Sequence, residues 1–256
     1  MEHSFLDRYS HLGSIIHNLD ARTQILAFLT LIIVTVLTPP ECWPVFLLHL
    51  ALIGVTLMLS RIPVGYVLTR SLIIIPFVLM VSLFVPFLPA NQPAGGYSLG
   101  LGTISLGRSN LLVFWNILIK GLIGVLAIIL LSSTTPFPKL LEALKKFRVP
   151  SILTLILGFI YRYFFVFLDE ILTVKRAVES RGYRGRWIWQ VKILGRMLGQ
   201  LFLRTYERSE RVYLGMTARG FQGPPRTLNP SQMRRADYLF LLLFLSVTAF
   251  SQLYFR

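Results

Sequence analysis

Read from its N-terminus, the chain alternates long apolar runs with short polar ones. Long, mostly apolar stretches cover about residues 22–37, 43–60, 71–88 and 111–132, and another, 237–254, follows a long mixed segment. A bilayer core is filled by about 20 apolar residues in helical form, so each of these stretches predicts a membrane-spanning helix. Pro76 and Pro86 predict a kink or an early end in the third. Lys120 lies inside the fourth, where it must snorkel or face protein, and His49, inside the second, is expected to be packed and hydrogen-bonded rather than a proton relay.

A further apolar run, 151–168, carries Arg162 near its middle, leaving only about ten apolar residues before the charge, too few for an ordinary span. It is therefore expected to be a helix buried against the others at the cytoplasmic interface. The remainder of 133–235 shows helical rather than continuous patterning. Residues 136–148 place Phe137, Leu140, Leu141, Leu144 and Phe147 on one face, and Pro150 ends that helix. A second amphipathic helix is expected over 151–180, stopped by Gly182. A third is expected over 187–219, stopped by Gly220, with Trp187, Val191, Leu194, Leu198, Leu201, Tyr206, Val212 and Met216 on its apolar side. Gly195 and Gly199 form a Gly-x-x-x-Gly on this third helix, where a second helix can approach closely, so a helix crossing is expected there.

Charge sets the orientation. The chain is 54% hydrophobic and only 14% charged, against about 25% in soluble domains, yet its 26 Lys and Arg outnumber 11 Asp and Glu for a net +15. Basic residues gather in the loops that face the cytoplasm. The connections at 38–42 and 89–110 are poor in them. Those holding Arg61 and Arg70, or Lys139, Lys145, Lys146 and Arg148, are rich, and 169–235 carries 14 basic against 5 acidic residues. The expected fold class is an all-α membrane protein with about five transmembrane helices and long cytoplasmic amphipathic helices. Its parts are a four-helix membrane region (1–132), a cytoplasmic helical region (133–235) and a C-terminal membrane helix (236–256). The partner for the charge is the lipid bilayer, with nucleic acid the weaker explanation.

Little in the sequence points to catalysis. Cys42 is the single cysteine, and His3, His11 and His17 are not spaced as a helical or zinc-type ligand set. Asp169 with Glu170, and Glu207 with Glu210, sit among Arg and Lys at helical spacing, which favours salt bridges over acid–base work. No Gly-x-x-x-x-Gly-Lys-Ser/Thr is present, so ATP is not bound by that route.

The pointed feature is how the two long amphipathic helices end: Glu179-Ser180-Arg181-Gly182 and Thr217-Ala218-Arg219-Gly220. A glycine just past a helix adopts the left-handed conformation that closes it. An Arg before it sits at the negative end of the helix dipole and can fork onto a carboxylate in a partner.

With these endings the sequence resembles the transmembrane T component of energy-coupling-factor (ECF) transporters, in its CbiQ-type cobalt branch. That family is marked by two Ala-Arg-Gly signatures at the tips of cytoplasmic coupling helices. The second is intact as Ala218-Arg219-Gly220, and the first departs as Ser180-Arg181-Gly182. The stretches FLDRYSHLGSIIHNLDAR, TTPFPKLLEALKKFRVP, YRYFFVFLDEI and LFLRTYERSERV carry further similarity.

The resemblance implies a multi-pass cell-membrane subunit that is not an enzyme and binds no cofactor itself. It implies that Ser180, Arg181, Gly182, Ala218, Arg219 and Gly220 meet two ATP-binding cassette ATPase subunits, which hold the ATP. A substrate-binding membrane S component would be the other partner, and cobalt, for cobalamin synthesis, the transported ion. The same role for nickel or a vitamin is the nearest alternative. A membrane-embedded lipid-phosphate enzyme is a more distant one, and would need an acidic metal-binding cluster that the sequence lacks.

Overall fold

The computed structural model describes residues 13–14, 16–84, 98–99, 104–105, 108–182, 187–223 and 232–254. The contacts divide the chain into two compact units, one formed by 2–143 with 231–256 and the other by 144–230.

In the first unit, helices α1 (Ala21–Leu37), α2 (Trp43–Ser60), α3 (Val64–Phe84), α4 (Arg108–Thr134) and α8 (Arg235–Tyr254) form a bundle. Its core joins Ala27, Phe28 and Leu31 of α1 to Phe46 and Ile53 of α2, Val67 of α3, Ile123, Ala127 and Leu130 of α4, and Phe244 of α8. At 17 residues α1 is short for a span, but it touches α2, α4 and α8. Side chains therefore shield much of its surface. Its last carbonyls, orphaned at any helix end, find donors within the bundle. Lys120 Nζ donates to Val36 O at 2.8 Å, and Gln252 Nε2 donates to Val34 O at 3.1 Å. The cation in the fourth apolar run is thus bound to the negative end of α1, as the dipole favours.

Helix α3 begins seven residues before the expected Ser71 and passes through Pro76 without ending. Arg70, which reads as a loop residue in the sequence, lies instead over the ring of Tyr66, 4.8 Å from its centroid, so its charge is accommodated on the helix surface. Pro86 lies outside the described residues. Helix α3 packs against α4 so closely that a Cβ on Gly121 would stand 2.5 Å from Val78 Cγ1. Between these helices, β1 (Ser98–Leu99) and β2 (Ile104–Ser105) form a two-residue antiparallel pairing.

His49 is fully buried. Its Nδ1 lies 3.0 Å from Thr35 Oγ1 and its Nε2 3.3 Å from Ser251 Oγ, so it ties α2 to α1 and α8. At the opposite end of α1, Gln24 accepts hydrogen bonds from Thr134 and Thr135 and donates to Ile16 O. That polar knot fixes the end of α4, from which α5 (Phe137–Lys146) starts.

The second unit holds α6 (Ser151–Ser180) and α7 (Trp187–Ala218). Both match the expected amphipathic helices closely. One expectation needs correction: the 151–168 run is not buried. Thr154 is the buried residue of α6, whereas Ile152, Ile160 and Phe164 are exposed. The helix runs unbroken through Arg162, which is exposed. By length and composition α2, α3, α4, α6 and α8 can cross a membrane. The expected number of five thus holds with α6 counted and α1 falling short.

Candidate functional site

Both signature endings form as helix caps. In α7, Gly220 takes φ +77°, Phe221 N–H donates to Met216 O at 3.0 Å and Gly220 N–H to Thr217 O at 2.9 Å. Those two bonds are the Schellman closure, which requires a left-handed residue where Gly220 stands. In α6, Gly182 takes φ +69° and its N–H donates to Glu179 O at 3.1 Å. Helix α5 closes in the same way without a glycine: Arg148 adopts φ +62°, and Val149 N–H reaches Leu144 O at 3.3 Å.

Each cap leaves an arginine projecting at the helix tip. Arg181 and Arg219 are exposed, as are Ser180 and Ala218. Neither guanidinium bonds to any described residue, whereas Arg204, Arg208 and Arg211 all have acidic partners. Arg162, Arg176 and Arg196 are also exposed without a described partner. Lack of an acid is therefore not what singles out Arg181 and Arg219. Their place at a closed helix end is.

Where sequence reasoning expected the helices to cross, at Gly195 and Gly199, a Cβ would meet no atom within 4 Å. The described bonds between α6 and α7 lie further along α7. Arg204 Nη1 and Arg208 Nη2 each donate to a separate oxygen of Glu170, both at 2.9 Å. The sequence shows that Glu170 sits among basic residues, but not that its partners stand 34 and 38 positions away. The available signal was the i,i+4 spacing of Arg204 and Arg208, which puts both on one face of α7.

Beside this ion-paired centre, α6 and α7 enclose an apolar groove of about 540 Å³, lined by Phe159, Tyr163, Phe167, Val212 and Met216 among others. Val212 and Met216 are on the expected apolar face, but Leu198 and Tyr206 of that face are exposed. The side chains of 187–194 lie outside the described residues.

The histidines do not assemble. His17 Nδ1 lies 2.6 Å from Ser14 Oγ, and His3 and His11 lie outside the described residues. Among the described residues no group of three His, Cys, Asp or Glu side chains stands close enough to hold a metal ion.

Residues 13–229 match the family described as CbiQ, cobalt transport protein. The chain belongs to the CbiQ family. An uncharacterized protein of Methanocaldococcus jannaschii is 25% identical over all of this chain and 88% of its own length. The energy-coupling factor transporter transmembrane protein EcfT of Streptococcus equi is 29% identical over 87% of this chain and 85% of its own. The cobalt transport protein CbiQ of Salmonella typhimurium is 26% identical over 85% of this chain and 97% of its own. The family match takes in both helix tips and the Glu170 centre. A CbiQ-family chain with helices of this length and apolarity is a multi-pass membrane protein.

Proposed function

We propose that the chain is the energy-coupling T component of an ECF-type cobalt transporter, a transporter subunit and not an enzyme. The observation that carries this reading is the pair of capped helix tips bearing Arg181 and Arg219, in a chain whose relatives are named as cobalt and energy-coupling-factor transport proteins. Work on the ion requires an energy source, and the sequence holds no Walker-type loop. ATP hydrolysis therefore belongs to partner subunits, two ATP-binding cassette chains in this proposal, with an S component capturing cobalt.

In this reading Arg181 and Arg219 each enter an acidic groove on one ATPase subunit. A guanidinium that donates in parallel to a carboxylate is held in orientation as well as position. When the ATPase pair closes, the grooves move and the helices follow as rigid levers. Ser180, Gly182, Ala218 and Gly220 shape the tips, small enough for the partner to reach each arginine. The exposed Gly195 and Gly199 are proposed to receive a helix of a partner chain, since no described residue of this chain would stand within 4 Å of a Cβ there.

The tips must lie on the cytoplasmic side, where ATP is. In a Cys42→Ser background, single cysteines at Glu179 and Gln222 test this with a membrane-impermeant maleimide. Labelling confined to inside-out vesicles supports the reading, and labelling of intact cells contradicts it. Co-purification tests the partnership: the tagged chain should retain two ATPase subunits, and a chain that purifies alone from cells expressing the complete set contradicts it.

A further inference from the structure

Glu170 is a carboxylate of α6 that is bonded across to α7, and only 16% of its side chain is exposed. Its two oxygens take different guanidinium groups, from Arg204 and Arg208, at 2.9 Å each. The two arginines are one helical turn apart, so the carboxylate grips α7 at two heights. Sliding or rotating α7 against α6 would break at least one of these bonds. A single pair would hold the helices together, but the double grip also fixes their register.

The grip is symmetrically placed. Arg181 follows Glu170 by eleven residues, and Arg219 follows Arg208 by eleven. Eleven residues are close to three full turns, about 16 Å of helix. Each tip arginine thus lies on nearly the same face of its helix as a clamp residue below it, Arg181 as far from Glu170 as Arg219 is from Arg208. Over an arm of ~16 Å, a 10° change in crossing angle displaces a tip by ~3 Å, more than a guanidinium–carboxylate bond tolerates.

We propose that Glu170, held by Arg204 and Arg208, is the fulcrum that fixes the crossing of α6 and α7 and so the relative placement of the two tips. It is a positioning residue, touching neither ATP nor ion. This deepens the coupling role proposed above and rests on it. A fixed crossing makes displacement of one tip a displacement of the other arm. A loose one lets each ATPase subunit move its own helix without effect on the rest.

The test uses the full transporter in lipid nanodiscs, in the Cys42→Ser background, with spin labels at Arg176 and Leu214, one on each arm beyond the clamp. The intact clamp is expected to give one narrow distance distribution, and Glu170→Ala a broad one. Uptake per ATP hydrolysed should fall about tenfold, within the usual range of coupling between sites, while ATP hydrolysis and subunit assembly persist. The reversed set Glu170→Arg with Arg204→Glu and Arg208→Glu should restore the narrow distribution and part of the uptake, which a defect unrelated to the ion pair would not allow. Should Glu170→Ala fail to assemble, Glu170→Gln, which keeps one neutral acceptor, is expected to give an intermediate width. An unchanged distribution in the variant that assembles overturns the fulcrum, and so does a broadened one with undiminished uptake per ATP. The tip reading fails separately, if a chain lacking both Arg181 and Arg219 still transports.

Discussion

Asp20 and Asp237, at the two ends of the sequence, are joined by a hydrogen bond: the backbone N–H of Asp20 donates to Asp237 Oδ1 at 2.8 Å. Asp237 also accepts from Arg234 N–H at 2.6 Å through its other oxygen, the return bond of a capping box at the start of α8. Asp20 in turn caps α1 by accepting from Arg22 N–H at 3.0 Å. One carboxylate therefore pins the starts of two helices across a sequence separation of 217 residues.

Asp237→Ala orphans two buried or half-buried N–H groups at once and should destabilise the chain by about 1–3 kcal/mol. Asp237→Asn, which keeps one carbonyl oxygen, should lose less. Thermal denaturation of the detergent-purified protein reads the order; equal melting temperatures for Ala and wild type would contradict the pinning role.

His49 offers the opposite expectation. Thr35 Oγ1 already donates to Leu31 O and Ser251 Oγ to Thr248 O, each at 2.7 Å. Replacing the ring with an apolar side chain of similar volume thus strands no hydroxyl donor and avoids the cost of an unsatisfied buried group. His49→Leu should keep cobalt uptake and shift the melting temperature by only a few degrees, roughly a 1 kcal/mol effect. Loss of uptake in a well-folded His49→Leu protein would show that the imidazole does more than pack.

The left-handed caps respond in opposite directions. A Cβ at a left-handed position costs about 1–2 kcal/mol, so Gly220→Val should fray the last turn of α7 and Gly220→Asn should do so less. Hydrogen exchange at Gly220 and Phe221 measures this. At Arg148, already left-handed with a side chain, Arg148→Gly should raise stability by up to about 1 kcal/mol. A fall in melting temperature would mean that the arginine is held there by contacts that offset the strain.

Gly121 sets the approach of α4 to α3. Gly121→Leu should cost about 1–3 kcal/mol by overpacking against Val78, and Val78→Ala should recover part of the loss, measured in the same melting assay. No recovery would place the strain elsewhere.

These residues also show what the sequence reveals and what it hides. Helices α2 and α6 have the expected limits because their ends are marked locally: Cys42-Trp43-Pro44 and Arg61 bound one, and Pro150 and Gly182 bound the other. The start of α3 is masked by Arg70, whose charge reads as a loop although its guanidinium lies over the ring of Tyr66. The exposure of α6 is hidden by its hydrophobicity, which marks contact with lipid or with a partner as readily as burial. Of the site, the tips are legible because Arg-Gly after an amphipathic run is a local signal. The Glu170 clamp is not, since periodicity places residues on a face but never names the opposing one.

The central claim is that Arg181 and Arg219 hand the movement of the ATPase subunits to this chain. Its most direct test is cobalt uptake by the reconstituted transporter carrying Arg181→Ala and Arg219→Ala together, with ATPase retention assayed on the same preparation. Removing one partner of a buried arginine–carboxylate contact costs roughly 3–5 kcal/mol. The double variant should therefore lose the ATPase subunits or hydrolyse ATP without moving cobalt, with each single variant less affected. Normal assembly and normal uptake in the double variant would contradict the account.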